Sequence, residues 1–194
     1  LKYPKIFVLS APSGAGKSTL IRSVIQQLSD LVFSISATTR KPRPQEQEGR
    51  EYFFKSREEF IRMIEAGELA EWQEVFGNFY GTPKSFISDN LADGKSLILD
   101  IDVYGKSKFD KIFPQNVGIF ITAPSIEVIT KRLSTRKTES AEELAKRVAK
   151  AEEEITYATT KGKYEYTIVN NILKDAEYEL IHIIKMEQEK AYGR

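Results

Sequence analysis

The chain has 194 residues, with Lys+Arg 29 against Asp+Glu 28 and a formal net charge of +1, which suits one domain with a real core and excludes a global basic field that would draw nucleic acid. Zero cysteines exclude disulfides and thiolate ligands, and a single histidine, His182, argues against an imidazole metal site and reads as a structural residue on a helix. No signal-peptide core opens the chain and no run reaches the length of a membrane span, so the expectation is a soluble cytoplasmic protein with neither membrane nor nucleic acid as partner.

Short apolar runs alternate with helical patterns: strand 6–9, helix 18–28, strand 32–36, then strand 97–101, helix 103–109, strand 117–121, helix 125–135, strand 166–169 and helix 175–190. This rhythm predicts an α/β fold with βαβ units on a parallel sheet flanked by helices. The interval 37–92 breaks it, with a polar loop at 40–50, an aromatic patch Tyr52-Phe53-Phe54, a helix near 57–66 and β-like pieces at 69–76 and 79–82. We read that interval as an insertion carrying a second substrate. Trp72 within it is expected in the core. A second interruption at 136–140 precedes a long charged helix from 141 to about 160, and reads as a lid. The expected organisation is a single domain with core 1–35, 93–133 and 158–194, insertion 36–92 and lid 134–157.

The sharpest motif is Ala11-Pro12-Ser13-Gly14-Ala15-Gly16-Lys17-Ser18-Thr19, between the first strand and the first helix. Gly14 and Gly16 let successive N–H groups curl around an anion, and the helix that follows turns its positive end to the same point. Lys17 adds a mobile charge for a terminal phosphate and Ser18 offers a hydroxyl to Mg²⁺, so ATP with Mg²⁺ is the expected ligand of all nine residues. Ala11 stands where glycine is usual. Downstream, Arg40 and Arg43 are set around Pro42, two guanidinium forks suited to a phosphate monoester. The alternative is a solvated loop whose Arg and Glu residues pair with one another. Asp100 and Asp102 end an apolar strand at the edge where open α/β folds bind ligands, on one face by the period of two. One or the other is expected to reach the metal through water, with capping of the next helix as the alternative for Asp102.

The phosphate loop, the Thr-Thr-Arg-x-x-Arg-x-x-Glu block at 38–46 and the Glu-Trp…Gly-Asn-x-Tyr-Gly-Thr segment at 71–82 resemble guanylate kinase, and the resemblance covers essentially the whole chain. It implies a P-loop NTPase fold and a phosphotransfer from ATP to GMP, with dGMP as a second acceptor to be tested. By that resemblance Ser36, Arg40, Arg43, Tyr52 and Tyr80 hold the GMP phosphate, Glu46 supports the arginine loop, and Glu71, Thr82 and Asp100 face the guanine. Glu71 agrees on chemical grounds, since a carboxylate accepts from the adjacent N1–H and N2–H donors of guanine, which adenine lacks; an exposed strand residue is the alternative. The resemblance also brings Arg136 and Arg147 onto the transferring phosphates and Arg132 and Asn170 to the ATP side. An i,i+4 pair with Glu143 is the other reading of Arg147. Tyr104, Lys137 and Asn171 depart from the family pattern, replacing Gln, Gly and an acid. A P-loop kinase of another small phosphate, or a non-catalytic binding module of the same fold, are the competing functions.

Overall fold

The computed structural model describes residues 2–135 and 140–190. At its centre lies a five-stranded sheet in the order β2-β7-β1-β8-β9, built from β1 (Ile6–Ser10), β2 (Leu31–Phe33), β7 (Ser96–Asp100), β8 (Val117–Thr122) and β9 (Tyr166–Val169), every pairing parallel. All five residues of β1 are buried, as a parallel strand covered on both faces requires. Phe7 and Leu9 face a layer containing Leu20, Ile21 and Val24 of α1 (Lys17–Ile25) and Leu180 and Ile184 of α7 (Leu173–Glu189). Ile6 and Val8 face the opposite layer, with Ile87 of α3 (Lys84–Ala92) and Phe109 of α4 (Val103–Ile112). The period of two along one strand thus fills both cores.

A second, four-stranded sheet in the order β4-β3-β6-β5 stands beside the first, formed by β3 (Ala37–Thr38), β4 (Phe53–Phe54), β5 (Leu69–Val75) and β6 (Asn78–Pro83). Its cover is α2 (Arg57–Glu65), started by a capping box in which Ser56 and Glu59 satisfy each other's backbone N–H. Phe60 of α2 stacks on Phe79 at 5.4 Å over Ala37 and Leu69. The β5–β6 hairpin turns through Phe76 and Gly77, both at positive φ (49° and 76°), as a two-residue primed turn demands. Beyond β8, α5 (Ile126–Ser134) and α6 (Ala141–Thr160) form a helical hairpin joined by Ile129, Leu133 and Ala151. Among the described residues no helix is long and apolar enough to cross a membrane.

Two sequence expectations are overturned, and one helix is new. The strand expected at 32–36 runs only Leu31–Phe33, because the chain leaves the central sheet there and pairs again at Ala37 in the second one. An unforeseen helix, α3, brings the chain back to the central sheet at Lys84, where Ile87 packs with Leu97 and Leu99. Trp72 is 37% exposed rather than core: Glu71 takes the inward place on β5, and the indole lies on the rim with its edge on Phe79 and Lys108 Nζ 5.7 Å from its ring. His182 is exposed on α7.

Candidate active site

The phosphate loop leaves the buried end of β1 and enters α1 through Gly14 and Gly16, at φ 89° and 88°. The positive φ is one reason for glycine; crowding is the other. A Cβ on Gly16 would lie 2.6 Å from Asn170 Nδ2, and one on Gly14 would press against Leu133 and Ile129 at 3.1–3.3 Å. Gly16 is the N-cap of α1 and no side chain caps that helix, so its first N–H groups face the loop, an arrangement that receives anions. Asn170 Nδ2 donates to the Ala15 carbonyl at 2.8 Å and Arg132 Nη2 to the Asn170 carbonyl at 2.9 Å. Asn170 thus braces the loop and Arg132 braces Asn170. Ser18 and Thr19 are exposed on the first turn of α1.

The arginine loop is held by one carboxylate. Glu46 Oε1 pairs with Arg40 Nη2 at 2.8 Å, while its Oε2 accepts from the Arg43 backbone N–H at 2.8 Å. The Arg40 guanidinium holds the Glu46 carboxyl below its ordinary pKa, and Glu46 with Tyr80 raises that of Arg40, so both ions stay charged. Arg40 lies over the Tyr52 ring at 5.4 Å, and that ring meets Tyr80 at 6.0 Å. Burial raises the Tyr52 hydroxyl's pKa, keeping it a donor. Arg43 is exposed on the loop.

Beside this cluster is a cavity of about 230 Å³ lined by Ser36, Tyr52, Glu71, Tyr80 and Asp100 of the expected residues, and by Gln73, Val75, Gly81 and Ile101, which the sequence reading missed. Gln73 was within reach of that reading, two places after Glu71 on the same strand face. Glu71 is only 8% exposed, and Thr82 Oγ1 donates to its Oε1 at 2.6 Å. A register shift between Leu69 and Glu71 accompanies its inward turn, and the exposed-strand alternative falls. Burial raises the Glu71 pKa against the Thr82 hydrogen bond. A buried carboxylate anchored at a pocket wall suits a ligand presenting paired N–H donors.

Asp100 ends β7 in the same cavity wall, and its Oδ1 pairs with Lys17 Nζ, so one side chain joins the pocket to the phosphate loop. Asp102 does not share that strand face. β7 stops at Asp100, and Asp102 is the N-cap of α4, its Oδ1 accepting from Tyr104 N–H at 3.0 Å and Gly105 N–H at 2.7 Å. Tyr104 packs its ring on Tyr157 of α6 at 4.7 Å. From α6, Arg147 Nη2 donates to Ser13 Oγ at 2.7 Å, which brings the α5–α6 hairpin onto the phosphate loop. Glu143, the suggested partner of Arg147, serves the capping box of α6 with Ser140. Arg136 and Lys137 lie outside the described residues. Asn171 is exposed after β9.

A family model described as guanylate kinase matches residues 3–187. The guanylate kinase of Caldanaerobacter subterraneus subsp. tengcongensis is 45% identical over 183 residues, 94% of this chain and 87% of that protein. That of Dechloromonas aromatica is 45% identical over 180 residues, 93% of this chain and 88% of that protein. A crystal structure of guanylate kinase from Anaplasma phagocytophilum superposes with a TM-score of 0.75 at 36% identity, covering 98% of this chain and 89% of that one. The similarity spans both sheets and the helical hairpin alike, and the chain belongs to the guanylate kinase family.

Proposed function

We propose that this chain transfers the γ-phosphoryl group of ATP to GMP, giving ADP and GDP and so recycling GMP within purine metabolism, a reaction on free nucleotides that suits the cytoplasm. The observation that carries the reading is the buried Glu71, held by Thr82 in a cavity that Asp100 connects to Lys17. In this reading Glu71 accepts the guanine N1–H and N2–H, while Ser36, Arg40, Arg43, Tyr52 and Tyr80 receive the GMP phosphate. The 11–19 loop holds the ATP phosphates, with Lys17 on the terminal one. A phosphate dianion is already a nucleophile, so no general base is required, and the work is positioning and charge neutralisation. The expected lid, 134–157, brings Arg147, and Arg136, to the phosphoryl group in flight and excludes water.

The donors near the loop, the Ser18 hydroxyl and the Asp100 carboxylate, are hard oxygens. With phosphate oxygens and water they suit Mg²⁺, which keeps much of its hydration. Bound there, the ion would neutralise phosphate charge. Among the described residues there is no cluster of His, Cys, Asp and Glu that could hold a metal alone, which fits an ion arriving with the nucleotide.

A coupled assay of ADP release across AMP, GMP, dGMP, CMP, UMP and dTMP tests the assignment. The expected result is a kcat/KM for GMP about 10²-fold or more above those for AMP and the pyrimidine nucleotides. Preference for another acceptor, or no turnover with any, refutes it.

A further inference from the structure

One buried carboxylate has no part in the chemistry above. α6 meets the rest of the molecule along a stripe spaced by four, three and four residues: Arg147, Ala151, Glu154 and Ala158. Ala151 is 0% exposed, Ala158 5% and Glu154 6%. An apolar side chain would fill the third place without any loss of hydration, whereas a carboxylate there is costly unless it is held.

Its surroundings hold it on one side only. Lys150 Nζ stands 4.0 Å from Oε1, while Oε2 is buried with no hydrogen-bond partner. Burial raises the Glu154 pKa, and the Lys150 ammonium, the Ser13 backbone N–H and the Lys17 ammonium oppose that rise. On the same face of α6, two turns earlier, Arg147 Nη2 donates to Ser13 Oγ of the phosphate loop at 2.7 Å. Two side chains seven places apart thus share the helix face that meets the phosphate loop, one bonded to it and the other buried with an oxygen left over.

We infer that Glu154 is a positioning residue for Arg147: buried in the face by which α6 meets the phosphate loop, it fixes the register of the helix there, so that the Arg147 guanidinium stays over the phosphates during transfer. This rests on the proposed role of Arg147 in phosphoryl transfer. A partly satisfied carboxylate in an apolar stripe is a poor way to stabilise a helix and a good way to set its register against a polar loop.

The test is Glu154→Leu, which fills the stripe and accepts nothing, made in wild-type and Arg147→Ala backgrounds. The expected result is a melting temperature at or above wild type, a kcat lowered about tenfold, and a KM for GMP within about twofold. In the Arg147→Ala background Glu154→Leu adds less than about twofold, because the group it positions is gone. Glu154→Gln, whose amide oxygen still accepts, recovers most of the lost kcat. Should Glu154→Leu fail to fold, Glu154→Ala in both backgrounds supplies the same comparison. A kcat for Glu154→Leu within about twofold of wild type, or a loss that multiplies in full with that of Arg147→Ala, overturns the inference and leaves the Arg147 reading standing. An Arg147→Ala kcat equal to wild type sinks that reading itself.

Discussion

Replacing Glu71 with Gln changes one atom and should cost the protein its acceptor. Thr82 Oγ1 donates to Glu71 Oε1 at 2.6 Å, so the carboxamide oxygen of Gln keeps that place and its NH₂ turns to the cavity. There it meets guanine donors with another donor. One charge-assisted hydrogen bond is lost, worth about 1.5–3 kcal/mol, and the opposed donors add a desolvation penalty of about 1–3 kcal/mol. Taken together, about 2.5–6 kcal/mol corresponds to a fall in kcat/KM for GMP of about 10²–10⁴-fold. Folding responds with the opposite sign. Burial raises the Glu71 pKa in the folded state, so at pH between the ordinary carboxylate pKa and the raised one the folded protein binds a proton that the unfolded chain releases. The penalty is absent below the ordinary carboxylate pKa, grows as pH rises toward the raised value, and is complete above it. Glu71→Gln should therefore melt no lower than wild type at pH 7, with its advantage shrinking on acidification. Steady-state kinetics and melting curves against pH on the same preparations measure both. A kcat/KM within about threefold of wild type, together with a pH-independent difference in melting temperature, would refute the reasoning.

Lys17→Ala should lower kcat by about 10³-fold while the dissociation constant for GMP, measured by calorimetry, changes less than about threefold; loss of GMP binding in step with turnover would contradict it. Phe76→Asn should raise stability by about 0.5–1 kcal/mol in denaturant titration, since a fully exposed ring at φ 49° packs on nothing and Asn accepts the left-handed conformation that Phe resists. A destabilised variant would show that the ring is covered in solution.

The parallel sheet was legible because strands covered on both faces read as unbroken apolar runs, and β1, β7 and β8 do. The helix α3 was not. Its N-cap is Pro83, with no side-chain capping bond, and the seat of Ile87 on the central sheet is what that stretch gains by being helical. Asp102 was misplaced because a period of two presumes that the strand continues, and β7 ends two residues earlier to give α4 its cap. The glycines and lysine of the phosphate loop are local and could be read directly. Glu71 could not be told from a surface residue by its neighbours in sequence, because its burial depends on Thr82 and on the register of two strands. Glu154 is the same case in a helix: the interval of seven from Arg147 is visible, and the loop that Arg147 reaches from that face comes from the other end of the chain.

The place of β1 in its sheet governs the order in which a nascent chain acquires this site. Ile6 pairs with Leu97 on one side and Phe7 with Val117 on the other, so the strand that launches the phosphate loop has no neighbours when it leaves the ribosome. Its second neighbour is complete only after residue 122 has been made, and the loop waits longer still for Asn170, whose carboxamide braces the Ala15 carbonyl. Through most of synthesis the apolar residues of β1 stay uncovered, the situation in which chaperones engage a chain and aggregation competes with folding. Translation stalled anywhere before β9 leaves a polypeptide that carries the whole nucleotide-binding motif and lacks the frame that gives it shape.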